Sequence, residues 1–151
     1  MALINLFHVL KRALIVTLFT HSLWATTMVI AVHPSSSINH LSPAIIKKLY
    51  LDQQQLIDTI RPLKLSLPYQ DPLRICFETK ILHMKKEELQ LYWLKNRYLG
   101  FRPPKVLASA QAVALYIQKV PNAIGYLPLK TAKQYGLKIV YQWKCEDEDK
   151  N

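Results

Sequence analysis

Few residues in this chain have types and spacings suited to covalent chemistry. His33, His40 and His83 stand far apart, and neither Cys76 nor Cys145 belongs to a Cys-x-x-Cys pair, so no metal site or cofactor is expected. No Ser/His/Asp relay or paired carboxylates stand out either, and the chain reads as a non-enzyme. The two cysteines can pair in an oxidising compartment, but spacing alone leaves this open. Cys76 shares an apolar helical side with Leu73 and Phe77, which favours reading it as a small buried hydrophobe.

The chemistry that remains is electrostatic. The 151 residues carry 20 Lys and Arg against 10 Asp and Glu, a net charge of +10. Four of the acids, Glu146 to Asp149, sit in the C-terminal tail, so the folded body is more basic than the total suggests. Such a surface attracts anions, acidic polymers or an anionic membrane. The Lys and Arg residues are spread along the chain instead of forming one block, which argues against nucleic acid and for a solvated basic surface.

The N-terminus adds export. Lys11 and Arg12 precede the apolar run from Ala13 to Phe19, and small residues follow at Ser22 and Ala25, the order of a secretory signal peptide. The apolar run is shorter than the roughly 20 residues a membrane span needs, so no stable span is expected after cleavage. The expected cut follows Ala25, with Leu23 a poor −3 residue and a cut after Ser22 the alternative. Loss of Lys11 and Arg12 leaves 18 basic residues of the original 20 against 10 acidic ones, a net +8. The expected organisation is a signal peptide over 1–25, one domain over 26–144 and an acidic tail over 145–151.

Elements that position these residues follow from periodicity. Met28 to His33 is an apolar, β-branched run that reads as a buried strand, closed by Pro34 and Ser35 to Ser37. Ser42 before Pro43 is a helix cap followed by a first-turn proline, with Ile45, Ile46, Leu49 and Tyr50 at helical spacing. Residues 52–62 read as a loop. Leu63, Leu65 and Leu67 alternate with polar residues as a strand, and Asp71 before Pro72 repeats the cap signature ahead of Leu73, Cys76, Phe77, Ile81 and Leu82. A third helix is expected from about Lys85 to Leu99, stopped by Gly100, with Leu89, Tyr92, Trp93 and Asn96 on one face and Trp93 as a core anchor. Ser109 opens a fourth helix carrying Val113 and Ile117. Strands follow at Ala123 to Leu127 and Lys138 to Tyr141. This order favours an α/β fold, a three-layer αβα sandwich, with no internal repeat.

Several segments carry a more specific pattern. The helix ending at Val120-Pro121, then Asn122-Ala123-Ile124-Gly125-Tyr126, resembles the "PGAIGY" segment of phosphate-type periplasmic binding proteins of type 2, with Asn122 in place of the usual glycine. Val29 to Pro34 is similar to the family's "VVVNP" strand, and Ser42 to Leu51 to its "LSxxxLxxIFLG" helix. Tyr92-Trp93 and Leu99 to Lys105 resemble the "YW…GxxPPK" pattern of its short, stand-alone members. The likeness covers roughly residues 28 to 130.

The resemblance implies one lobe of a two-lobed binding protein, because about 125 mature residues do not supply both lobes. It further implies that the strands at Val29 and Ala123 lie side by side where the lobes join, and it makes the setting periplasmic. Phosphate in such a lobe is held by free backbone N–H groups at a helix start, with a hydroxyl and an Arg. The matching segment here is Tyr69 to Arg74, where Asp71 takes the hydroxyl position and Pro72 lacks an N–H. Two readings follow. In one, Arg74 with Ser35, Ser36 and Ser37 forms a residual anion site. In the favoured one, Asp71 is a helix cap and Arg74 a surface residue paired with Glu78. Phosphate is then bound weakly or not at all. The alternative function is a protein-interaction or sensor subunit of an envelope system, with Tyr98, Phe101, Arg102 and Lys105 as its candidate surface.

Overall fold

The computed structural model describes residues 25–52 and 56–146. All but the last residue of the expected signal peptide, and most of the acidic tail, lie outside the described residues.

Five strands, β1 (Thr26–Val32), β2 (Leu63–Ser66), β3 (Lys105–Val106), β4 (Ala123–Pro128) and β5 (Lys138–Cys145), form one mixed sheet in the order β3-β2-β4-β1-β5. β1 runs antiparallel to both β4 and β5, whereas β2 runs parallel to β4 and to β3. The first strand does lie beside the "AIGY" strand, with Val29 opposite Leu127 and Ile30 opposite Tyr126. The unbroken apolar run from Met28 to Val32 is buried throughout, which requires cover on both faces of the sheet.

That cover comes from α1 (Pro43–Leu51), α2 (Pro72–Phe77, continued by a π-helical stretch Glu78–Leu82), α3 (Lys86–Asn96, then a 3-10 turn Arg97–Leu99), α4 (Ala110–Lys119) and α5 (Leu129–Gln134). Successive residues of β4 show the two faces. Gly125 meets α4, and a Cβ there would lie 2.7 Å from Val113 Cγ1. Tyr126 points the other way, into an aromatic cluster with Phe77 of α2, stacked at 4.0 Å between ring centroids, and Tyr50 of α1, tilted at 6.1 Å. Helices on both faces make the expected αβα sandwich.

The caps read from sequence are built as expected. Ser42 accepts the Ile45 N–H at 3.3 Å, Asp71 the Leu73 N–H at 2.8 Å and Ser109 the Ala112 N–H at 3.1 Å.

Several features differ from the sequence reading. Cys76 is buried but not free: it is disulfide-bonded to Cys145, the two Cα atoms 6.0 Å apart. The bond fastens α2 to the last residue of β5, an edge strand that continues four residues beyond Tyr141. The helix α5 falls where no element was expected. Trp93, read as a core anchor, is only half-buried, and Leu89 alone on α3 is fully buried.

Candidate functional site

Parallel strands β3, β2 and β4 all deliver their C-terminal ends to one edge of the sandwich, the place where open α/β sheets bind ligands. β2 reaches it first. Its last residue, Ser66, lies 2.8 Å from the Tyr126 hydroxyl, which also accepts the Leu67 N–H at 3.1 Å. The Tyr50 hydroxyl donates to the Leu65 carbonyl at 3.0 Å. Burial pushes both tyrosine hydroxyls well above their usual pKa, Ser66 and Leu67 drawing Tyr126 back only in part, so this polar floor is neutral.

Beyond Leu67 the chain turns through Tyr69 into α2, and the donors an anion would need are already engaged there. Pro72 has no N–H. The Leu73 N–H goes to the Asp71 carboxylate, and those of Arg74 and Ile75 go to the Asp71 carbonyl at 3.0 and 3.1 Å. The Asp71 N–H itself donates to the Pro68 carbonyl at 3.0 Å.

Arg74 is not the surface residue expected. It is 3% exposed. Nε donates to Glu78 Oε1 at 2.5 Å, a terminal nitrogen donates to the Leu67 carbonyl at 2.9 Å, and the Tyr69 ring covers the guanidinium at 3.8 Å. The i,i+4 pairing was legible, but its burial was not. Arg74 ties the end of β2 to the first turns of α2.

The serines lie elsewhere. Ser35, Ser36 and Ser37 follow Val32, which pairs with Ile124 at the start of β4, whereas Asp71 and Arg74 follow the end of β2 beside Tyr126. These are opposite ends of the sheet, so the five residues do not form one site. There Ser35 Oγ binds His33 Nδ1 at 2.7 Å, Ser36 Oγ accepts the Ile38 N–H, and Lys138 donates to the Ser36 carbonyl at 2.7 Å.

Of the four candidate interaction residues, Phe101 and Arg102 share one surface. Tyr98 is 90% exposed. Phe101 and Arg102 line a concave surface of about 590 Å³ together with Trp93, Leu94 and Arg97 of α3 and its 3-10 turn. Lys105 stands on β3 with its ammonium 5.1 Å from the centroid of the Tyr116 ring. Sequence reasoning missed Ser66, Tyr69 and Tyr126 at the strand ends and Leu94 at the groove. Tyr126 carries a signal as the last residue of the "AIGY" match, and Tyr69 as the first residue of the segment matched to the family's helix start.

No protein-family model matches the chain, and no curated protein resembles it in sequence. Solved structures do. A provisionally assigned phosphate ABC transporter substrate-binding protein with bound phosphate, from Clostridium perfringens, is similar at a TM-score of 0.61 and 16% identity, over 77% of this chain and 44% of that one. An ABC-type phosphate transport receptor from Vibrio cholerae gives 0.60 and 12%, over 77% and 46%. PstS from Borrelia burgdorferi gives 0.61 and 17%, over 78% and 47%. This chain thus spans less than half the length of each of the three. At such identities the likeness speaks to architecture, and the chain has the α/β fold of one lobe of a phosphate-binding protein.

Proposed function

We propose that this chain is an exported, non-catalytic lobe of the phosphate-binding-protein type that acts in the periplasm and holds phosphate weakly or not at all. The observation that carries the reading is the start of α2, where each N–H from Asp71 to Ile75 is engaged within the chain, Pro72 contributes none, and the Arg74 guanidinium is bonded to Glu78 and Leu67. Asp71 adds a carboxylate. At an effective dielectric of about 20, two like unit charges about 4 Å apart repel by about 4 kcal/mol, more than exposed lysines screened by salt offset. The disulfide between Cys76 and Cys145 suits an oxidising compartment, which supports export. No helix among the described residues is long and apolar enough to cross a membrane.

Titration calorimetry of the purified protein with inorganic phosphate tests this. The expected dissociation constant is about millimolar or weaker, a binding free energy of about −4 kcal/mol or less negative. Asp71→Ser, which keeps a capping oxygen and removes the charge, is expected to bind phosphate more tightly than the parent. Micromolar binding by the parent would overturn the reading.

A second reading, a protein-interaction role in the envelope, is favoured by the groove at α3 and the exposure of Tyr98.

A further inference from the structure

Large exposed apolar side chains are not spread evenly over this molecule. Among the described residues ten are exposed, and four of them, Leu91, Leu94, Tyr98 and Leu99, fall within nine consecutive positions on α3 and its 3-10 turn. Leu91, Leu94 and Tyr98 recur at the spacing of one helical stripe. Leu94 and Tyr98 are 58% and 90% exposed, whereas Leu89 faces the core, so the helix shows apolar residues on two sides. A surface helix with one partner needs only one.

The second side borders the concave surface lined by Trp93, Leu94, Arg97, Phe101 and Arg102. Its charged lining is of one sign: both ionic residues are arginines, and the exposed Lys95 lies on the same helix. The acids of α3, Glu87 and Glu88, sit in its first turn at the far end, where the Glu88 carboxylate accepts the Lys85 N–H. Aromatic and aliphatic walls with cationic edges match a segment that carries apolar side chains flanked by carboxylates. The surface is concave, which suits an inserted peptide better than the flat face of a bilayer.

We propose that the groove at α3 is a docking site for an acidic, apolar-bearing segment of another protein, with Trp93, Leu94 and Phe101 receiving its apolar side chains and Arg97 its carboxylates. This deepens the interaction reading of the same surface and does not depend on whether the α2 end holds phosphate.

Panning a phage-displayed random dodecapeptide library on the immobilised protein, followed by fluorescence anisotropy of the enriched peptides in labelled form, tests it. Enriched peptides are expected to place Asp or Glu beside Leu, Phe or Trp. Their affinity is expected to fall about tenfold or more in Leu94→Glu and in Arg97→Glu, and to return in Arg97→Glu when the acids are changed to Lys. Both positions are exposed, so the variants are expected to keep the parent circular dichroism. Groove-dependent peptides without acids would overturn the partner's chemistry while leaving the interaction reading standing. Absence of any groove-dependent peptide would overturn both. Two other occupants are distinguished directly: self-association in sedimentation that Leu94→Glu abolishes would identify a second copy, and binding to phosphatidylglycerol vesicles lost in the same variant would identify a membrane. Either result would overturn the proposal.

Discussion

A guanidinium beside a helix start is a common mark of an anion site, but Arg74 is placed to serve the fold. Its ion pair with Glu78 is buried on both sides, the two side chains 3% and 8% exposed. A buried pair gains little over a well-packed apolar pair, because desolvation of both charges offsets their attraction. Breaking it from one side is different, since the charge left behind has no partner. Arg74→Ala is therefore expected to destabilise the protein by about 3–5 kcal/mol, and the double variant Arg74→Met, Glu78→Leu to recover most of that. Urea unfolding of the single and double variants measures the difference. Equal loss in both would mean that the bond from Arg74 to the Leu67 carbonyl, and not the ion pair, is the larger contribution. At this scale the sequence held half of the answer: the four-residue spacing of Arg74 and Glu78 was visible, while the covering ring of Tyr69 comes from a loop whose path only the folded chain defines.

Elements with strong local signals were legible, and those defined by neighbours were not. The capped helices α1, α2 and α4 each carry Ser or Asp ahead of an apolar stripe, and β1 and β4 are short apolar runs bounded by Pro, Asn or Ser. The helix α5 has six residues, begins behind Pro128 and lacks a side-chain cap, so its one usable signal was Gly136, in the left-handed region at φ +64° just past its end. β3 has two residues and exists because Leu65 and Ser66 offer it an edge. The "AIGY" pattern has a packing reason here. A Cβ at position 125 would lie 2.7 Å from Val113 Cγ1 and 3.3 Å from Ile117 Cδ1, so the glycine lets α4 approach β4. Gly125→Ala is expected to cost about 1–3 kcal/mol through this overpacking, and Gly125→Ala with Val113→Ala to lose less than the sum of the two single changes. Thermal unfolding of the three variants decides it. Strict additivity would show that α4 moves freely and the contact is not limiting.

At the scale of the molecule, topology separates residues that one of the two sequence readings groups together. Because β1 runs against β4 while β2 runs with it, the loop after β1 and the loop after β2 leave opposite ends of the sheet. No local pattern states strand direction, and for that reason Ser35 to Ser37 could be grouped with Arg74 on paper. The same topology gives the disulfide its role. β5 is an edge strand held by β1 alone through the ladder, and Cys145, at its last position, is tied to Cys76 on α2 across the aromatic face. The bond links residues 69 positions apart and spans α3, β3, α4, β4 and α5. Constraint of the unfolded chain over a loop of that length contributes about 4 kcal/mol in the chain-entropy account. For a domain of this size that corresponds to a fall in Tm on the order of 10–20 °C on removing the bond. Cys76→Ser with Cys145→Ser, compared with the oxidised parent by thermal unfolding without reductant, is expected to show that fall, and hydrogen exchange is expected to rise first at the Cys145 end of β5. A double variant as stable as the parent would mean that the ladder to β1 and the packing of Trp143 on Phe77, 6.0 Å between centroids, hold the edge strand without the covalent link.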